Sequence, residues 1–243
     1  MLQGIAENEI NMTNQTQNSR KIIVTNLGLI DYQEAWDYQE KLFKQLMEAK
    51  IAGISSPNYL LFCEHQHVYT LGKSGSVNNL LISNRQLQQK NVSFIHTNRG
   101  GDITYHGPGQ IVGYPILNLE NFGLGIRDYV GLLEESIIKV LADFNLRGER
   151  LPGATGVWLD PGVPGKTRKI CAIGVKASRF ITMHGFAFNV NTDLQFFNYI
   201  NPCGFTDKSV TSLAKELGHE MNFEAVRVQV FEKMKAVFGF ETE

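Results

Sequence analysis

Residues 99–110 read Arg-Gly-Gly-Asp-Ile-Thr-Tyr-His-Gly-Pro-Gly-Gln, and Gly113 follows closely. Five glycines within fifteen positions allow the backbone to adopt positive φ and to approach a ligand, leaving amide N–H groups to point at it. Arg99 would supply charge for a carboxylate or phosphate, and His106 a hydrogen-bond donor or a base. A hairpin whose turns require glycine explains the spacing equally well.

This stretch lies within a run of predicted strands. Val92–His96 precedes it and Ile111–Leu119 follows it, and both are short apolar runs typical of strands. Asp31 is a plausible N-cap for a helix through about Lys50, and the longest helix is predicted over 126–145. Further strands are predicted at 22–24, 59–63, 68–71, 156–159, 169–175, 180–183 and 186–190, with helices starting at Ser83 and spanning 210–217 and 223–238.

The predicted strands are bunched and do not alternate strictly with helices. This pattern favours the α+β class, with a mixed, largely antiparallel sheet covered by helices on one side. Residues 1–18 are mostly Asn, Gln, Thr and Glu, so we expect residues 1–20 to form a mobile polar tail. Residues 21–243 are expected to form a single domain and the protein a monomer.

The composition excludes several classes of protein. The chain has 23 Lys plus Arg, 24 Asp plus Glu and 43% hydrophobic residues, which argues against a disordered chain and against a nucleic-acid binder. No apolar run suits a membrane helix, and the first residues do not resemble a secretory signal. Three scattered cysteines favour a reducing compartment, so we expect a cytoplasmic protein with no membrane partner.

The three cysteines have different surroundings. Cys63 and Cys171 lie in apolar, strand-like runs, where core packing is the expected role of a free thiol. Cys203 lies between Asn201-Pro202 and Gly204, in a predicted loop. A loop thiol can be held beside a pocket, so Cys203 is a candidate nucleophile or a structural loop residue.

Two other groups of residues bear on whether the protein binds a metal ion or a nucleotide. Cys63, His65 and His67 would share one strand face, which is a possible metal site. Three alternating ligands on one strand rarely converge, and no fourth is obvious, so we expect no metal. The glycine-rich stretch has neither a terminal Gly-Lys-Ser/Thr nor Gly-x-Gly-x-x-Gly opening a helix, so a standard nucleotide site is not expected, and we expect no cofactor.

The pattern Arg99-Gly-Gly-x-x-Thr104-Tyr105-His106-x-x-Gly109-Gln110-x-Val-x-Tyr114 closely resembles the signature of lipoyl(octanoyl) transferases. These enzymes move an octanoyl group from acyl carrier protein to a lysine of lipoyl-accepting domains. The resemblance spans about residues 22–215. Further stretches match in order: Glu64-His65 through Thr70-x-Gly72, Gly156-Val157-Trp158, Lys169-Ile170 and Asn201-Pro202-Cys203-Gly204.

The resemblance implies a fold like the biotin/lipoate protein ligase catalytic domain and an octanoyltransferase domain over residues 21–243. It also implies that Cys203 carries the acyl group and that Lys169 forms a Cys–Lys dyad with it. His184, with Asp193 as orienter, is a rival base. The implied substrate-binding residues are Arg99, Gly100, Gly101, Asp102, Ile103, Thr104, Tyr105, His106, Ala172, Ile173, Gly174, Gly185, Phe186 and Ala187.

The implied partners are octanoyl-acyl carrier protein as donor, and lipoyl domains of 2-oxoacid dehydrogenase E2 subunits and glycine cleavage H protein as acceptors. Residues 161–192 contain no Asp or Glu but include Lys166, Arg168, Lys169, Lys176 and Arg179. This basic stretch suits an acidic carrier, or is a solvated strand edge. Two alternatives remain: an ATP-dependent lipoate–protein ligase, and a non-catalytic module that binds the carrier or lipoyl domain.

Overall fold

A computed structural model describes residues 20–201 and 208–243. In that part of the chain the helices are α1 (Tyr32–Ile51), α2 (Asn84–Gln89), α3 (Ile126–Asp143), α4 (Leu213–Leu217) and α5 (Phe223–Phe238). The strands are β1 (Lys21–Ile30), β2 (Asn58–His65), β3 (Val68–Leu71), β4 (Ser93–His96), β5 (Ile103–His106), β6 (Gln110–Ile116), β7 (Gly148–Leu151), β8 (Ala154–Leu159), β9 (Arg168–Ser178), β10 (Ile181–Asn189), β11 (Ser209–Val210) and β12 (Glu241–Thr242). Short 3-10 helices span Val77–Asn79, Leu119–Phe122 and Leu194–Tyr199.

The strands form one large and one small sheet. The large sheet has the order β12-β1-β2-β6-β10-β9-β8-β7, and β11 pairs with β9 beside this path. Three of its pairings are parallel, β1 with β12, β1 with β2 and β9 with β11, and the others are antiparallel. The small sheet has the order β4-β3-β5. The predicted α+β class with a mixed, largely antiparallel sheet is confirmed.

Helices cover both faces of the large sheet, so the expectation of cover on one side was wrong. Leu60 and Phe62 of β2 pack in one core with α3 and α5, whereas the alternate residues Leu61 and Cys63 pack in a second core with α1. Successive side chains of a strand point to opposite faces. An unbroken apolar run therefore needs a helix on each side.

The predicted helix starts at Asp31 and Ser83 are confirmed. Asp31 accepts the backbone N–H groups of Gln33 and Glu34, and Ser83 forms a capping box with Gln86. The predicted strands 180–183 and 186–190 are one strand, β10, and the predicted helix 210–217 begins only at Leu213. In the part of the chain that is described, no helix has the length and apolar character needed to cross a membrane.

The glycine-rich stretch is not a hairpin. Its residues 103–106 form β5, which pairs with β3 in the small sheet, whereas β6 pairs with β2 and β10 in the large sheet. The two strands that flank Gly107–Gly109 thus belong to different sheets. The stretch links the sheets, and this places its residues at the boundary between them.

Strands β6 and β10 approach each other closely at Gly185. A Cβ atom there would lie 2.1 Å from the carbonyl oxygen of Gly113 and 2.7 Å from Cδ of Pro115. Neither atom belongs to a flexible side chain that could move away. Glycine at position 185 is therefore required by the spacing of the strands.

We expect Gly185→Ala to lower the free energy of unfolding by about 1–3 kcal/mol, because the added methyl group must push two strands apart. Gly131→Ala is the matched control: it lies within α3, and an added Cβ would meet nothing within 4 Å. The control should be neutral or stabilising by about 0.5–1 kcal/mol. Urea denaturation of both variants checks this, and equal stabilities would contradict the close approach.

Candidate functional site

A cavity of about 970 Å³ is lined by residues of both sheets and by the start of α1. This volume lies at the upper end of the range of about 300–1,000 Å³ that is common for ligand sites. Asn201 and Lys208, the residues on either side of the segment 202–207, also line it. The cavity is therefore the candidate active site.

The structure brings the implied substrate-binding residues together, with one exception. All of them except Tyr105 line the cavity, and Lys169 lines it too. Tyr105 is fully buried in a separate aromatic cluster, where its hydroxyl group lies 2.7 Å from Nδ1 of His67. The implied residues 172–174 on β9 and 185–187 on β10 are direct neighbours. They pair as Ala172 with Ala187, Ile173 with Phe186 and Gly174 with Gly185.

Arg99 is buried, and its guanidinium group ties the glycine-rich stretch to the small sheet. Its Nη2 donates to the carbonyl oxygens of Thr70 at 2.6 Å and Asp102 at 2.7 Å, and its Nη1 to that of Gly100 at 3.0 Å. The N–H of Gly100 donates to the carbonyl of Val175 on β9, at 2.9 Å. Arg99 thus organises the wall of the cavity, besides lining it.

The same arginine fixes the state of His106. Nε and Nη2 of Arg99 donate to the hydroxyl oxygen of Thr70, so the hydroxyl hydrogen is left to point at Nε2 of His106, 3.3 Å away. The other ring nitrogen, Nδ1, then carries the proton and donates to Oε1 of Gln110 at 2.8 Å. Burial holds the pKa of His106 well below its ordinary value, so this side chain is neutral.

The hydrogen-bond chain continues beyond Gln110. Its Nε2 donates to Oδ1 of Asn189 at 2.9 Å, and Nδ2 of Asn189 donates to the carbonyl of Thr211 at 3.0 Å. The N–H of Thr211 donates to the carbonyl of Lys169 at 2.9 Å. Gln110 and Asn189 line the cavity but were not recognised in the sequence as site residues. Gln110 stood inside the signature, whereas nothing marked Asn189.

The residues of the considered metal site do not converge. Nε2 of His65 lies 2.7 Å from the Tyr114 hydroxyl and 3.5 Å from Sγ of Cys63. His67 instead stacks on Phe196, with ring centroids 4.3 Å apart. Across residues 20–201 and 208–243, no group of three His, Cys, Asp or Glu side chains could hold a metal ion. Burial lowers the pKa of His65 to about 4.

His184 lines the cavity, but its contacts differ from those of a base oriented by Asp193. Its Nε2 lies 2.7 Å from Oδ1 of Asn98, and its backbone N–H donates to Oε1 of Gln39. Asp193 instead caps the 3-10 helix at Leu194–Tyr199 by accepting the N–H of Gln195. Burial lowers the pKa of His184 to about 3, which makes it a weak base.

Lys169 is half-buried on β9, with its Nζ 4.5 Å from the centroid of the Trp158 ring. The other half of the expected dyad, Cys203, lies outside the described residues. Cys63 and Cys171 are buried core residues, as the sequence predicted, and burial raises the pKa of both thiols. Burial therefore favours the neutral thiol at both positions over a reactive thiolate.

The basic stretch is smaller than the sequence indicated. Arg168 forms ion pairs with Asp160 at 2.5 Å and Glu216 at 2.6 Å, so acids from outside residues 161–192 neutralise it. Lys166 and Arg179 are exposed, and Nζ of Lys176 lies 5.0 Å from the ring centroid of Phe43. Lys166 lies before the start of β9, whereas Lys176 and Arg179 lie at its other end, so the remaining positive charge is divided between the two ends of the strand.

Sequence comparison places this geometry among known proteins. The family described as lipoyl protein ligase A/B catalytic domain matches residues 31–235. An octanoyltransferase of Parabacteroides distasonis is 58% identical over 88% of this chain and 97% of that protein. An octanoyltransferase of Christiangramia forsetii is 54% identical over 92% of this chain and 98% of that protein. One of Cytophaga hutchinsonii is 51% identical over 93% of this chain and 96% of that protein.

Solved structures confirm the expected fold. A bipartite lipoate protein ligase from Thermoplasma acidophilum superposes with a TM-score of 0.67 over 92% of this chain and 86% of that chain, at 14% sequence identity. A lipoate-protein ligase A bound with ATP gives a TM-score of 0.63 over 92% and 88%, at 12% identity. At such identities the likeness establishes the fold alone.

The buried histidines predict how stability depends on pH. A histidine whose pKa is lower in the folded than in the unfolded chain binds its proton preferentially when unfolded, so acid favours unfolding. For His65 and His184 the loss begins near pH 6.5 and continues towards pH 4 and pH 3, their folded pKa values. We expect a loss of about 2 kcal/mol per histidine between pH 6.5 and 5, measured by urea denaturation.

Replacing one of these histidines tests the attribution. His65→Gln should make the dependence of unfolding free energy on pH shallower by about 2 kcal/mol over the same range, whatever its stability at pH 7. His219→Gln is the control, because His219 is exposed. Parallel pH curves for His65→Gln and the wild type would show that the acid sensitivity has another origin.

Proposed function

Because the chain belongs to the lipoyl protein ligase A/B catalytic-domain family, and within it to the octanoyltransferases, we propose that it acts through a thioester on Cys203. The relationship makes the chain an acyltransferase. The proposed donor is octanoyl-acyl carrier protein. The proposed acceptor is a lysine of a lipoyl domain, from 2-oxoacid dehydrogenase E2 subunits or glycine cleavage H protein.

The observation that supports a Cys203–Lys169 dyad is the position of β11. Its Val210 pairs in parallel with Lys169, so the chain that follows the Cys203 segment runs beside the lysine. Asn201, which precedes the segment, lines the same cavity as Lys169. Six residues separate positions 201 and 208. A segment of this length, with both ends at the cavity, can bring its thiol to the lysine.

The proposed chemistry consists of two acyl transfers. The Cys203 thiolate attacks the carbonyl carbon of the donor thioester, a new C–S bond forms, and the C–S bond to the carrier breaks to release the carrier thiol. The amine of the acceptor lysine then attacks the enzyme thioester, which gives an amide and returns the Cys203 thiol. Lys169 favours the thiolate by its charge and takes part in moving the protons.

The cavity wall suits a saturated chain. Ala172, Gly174, Gly185 and Ala187 have small or no side chains and lie on adjacent strands, which leaves room along β9 and β10. The neutral state of His106 also fits this use, because a charged imidazole would be incompatible with a bound alkyl chain. We propose that residues 21–243 act as one catalytic domain.

The decisive experiment is intact-mass analysis after incubation with octanoyl-acyl carrier protein in the absence of ATP. We expect the mass to rise by one octanoyl group, and the adduct to be released by hydroxylamine, as a thioester is. Cys203→Ser should abolish this labile adduct, because the nucleophilic thiol is absent. Cys171→Ala is the matched control, since it removes a buried core thiol and should keep the adduct.

The other outcomes are equally informative. An acyl transfer that requires ATP and a free acid would identify a ligase, and it would persist in Cys203→Ser. Binding of the carrier without any adduct, with or without ATP, would identify a binding module. A thioester on Cys203 whose formation is unaffected by Lys169→Ala would contradict the dyad but not the transferase.

The basic residues at the two ends of β9 make a separate prediction about the donor. Replacing Lys166, Lys176 and Arg179 together by Ala should lower kcat/KM for the carrier-bound donor about tenfold at low ionic strength, because the attraction to an acidic carrier is lost. The loss should shrink as salt is added. The control triple variant of Lys139, Arg147 and Lys235 removes the same charge elsewhere. Equal effects of both variants, or none, would exclude docking at either end of β9.

A further inference from the structure

We propose that Trp158 is a positioning residue that holds the ammonium group of Lys169 at the place where the dyad needs it. The inference rests on the proposed role of Lys169 in activating Cys203. It assigns a task to a residue that the sequence pattern marks only as part of Gly156-Val157-Trp158. The task is carried out by the face of the indole ring.

A β-bulge places the two residues opposite each other. Val157 pairs with Cys171, but Trp158 pairs with Lys169, so β9 has one residue more than β8 between the two pairs. Bulges redirect side chains and are frequent next to active sites. Here the extra residue, Ile170, enters the core, and Lys169 becomes the direct cross-strand neighbour of Trp158.

The absence of a side chain at Gly156 leaves room for the aliphatic part of Lys169. Its φ is +121°, and a Cβ atom there would lie 2.5 Å from the carbonyl oxygen of Cys171 and 3.5 Å from Cε of Lys169. The aliphatic part of the lysine thus passes over a residue without a side chain. The N–H of Gly156 donates to Oε1 of the buried Glu134 on α3 at 3.0 Å, which secures the irregular strand.

The indole ring itself is fixed. Trp158 is 2% exposed, and its Nε1 donates to the carbonyl of Ala154 at 3.0 Å. Nζ of Lys169 lies 4.5 Å from the ring centroid, within the distance at which an aromatic face attracts a cation. An aromatic face accepts no proton from the ammonium group. Such a face favours the ammonium form by attraction alone, so the proposed exchange of a proton with the thiol stays possible.

The test compares Trp158→Phe, which keeps an aromatic face, with Trp158→Leu, which keeps only an apolar side chain. We expect octanoyl transfer to fall about tenfold in the Leu variant and to stay within about threefold of the wild type in the Phe variant. Labelling by acetic anhydride, quantified by mass spectrometry, requires a neutral amine. Labelling of Lys169 should rise several-fold in Trp158→Leu and remain near the wild-type level in Trp158→Phe.

Phe238→Leu serves as the control for a loss of core packing, because this buried ring lies on α5. It should lower the Tm without changing the labelling of Lys169. Wild-type labelling and transfer in Trp158→Leu, or an equal defect in both Trp158 variants when folded, would overturn the inference. Transfer that survives Lys169→Ala would overturn the role of the lysine, and the labelling then shows separately whether the ring holds it.

Discussion

The guanidinium group of Arg99 donates hydrogen bonds but accepts none, and this asymmetry sets the direction of the buried polar chain beneath the cavity. Since Arg99 donates to the hydroxyl of Thr70, that hydroxyl can donate only onward, to His106. His106 then donates to Gln110, Gln110 to Asn189, and the chain ends at a backbone carbonyl. A buried charge is costly unless such partners surround it. The same chain of bonds links Thr70 and His106 of the small sheet to Gln110 and Asn189 of the large sheet.

Strand β9 is the element through which the parts of the site meet. Along its length it pairs with β10, β8 and β11, and it accepts the N–H of Gly100 at Val175. The glycine-rich stretch, part of the cavity wall and Lys169 are therefore all positioned by this one strand. Ile170 and Cys171 of this strand are fully buried in the core with α3 and α5, which holds the strand in place.

The sequence alone was enough to predict local features such as helix caps, but it did not reveal which distant strands and side chains pair with each other. Asp31 and Ser83 predict the starts of their helices, because a side-chain cap depends only on residues two or three positions away. The partner of β5 lies more than thirty residues earlier in the chain, and the two acids beside Arg168 lie outside its own stretch. No periodicity reveals such pairs. The signature pointed to residues that line the cavity, but it could not distinguish them from Tyr105, whose side chain lies outside the cavity.

The bulge at Trp158 was equally invisible in the sequence, because an extra residue in β9 exists only relative to its neighbour β8. The same holds for the cover of the sheet. The apolar run Leu60-Leu61-Phe62-Cys63 shows that both faces are buried, but only the packed structure shows which helix lies on each. Local sequence patterns thus predicted the helices and strands, whereas the pairing between distant strands determines which residues line the cavity.

At Gly174 and Gly185 the cavity wall is backbone, and this limits how its shape can evolve or be engineered. A Cβ at Gly174 would lie 2.9 Å from the carbonyl of Gly100, and one at Gly185 would meet the carbonyl of Gly113. Narrowing the wall there by substitution would mean separating strands. If the cavity holds the acyl chain as proposed, its shape can be changed instead at Ala172, whose half-buried side chain lines the cavity.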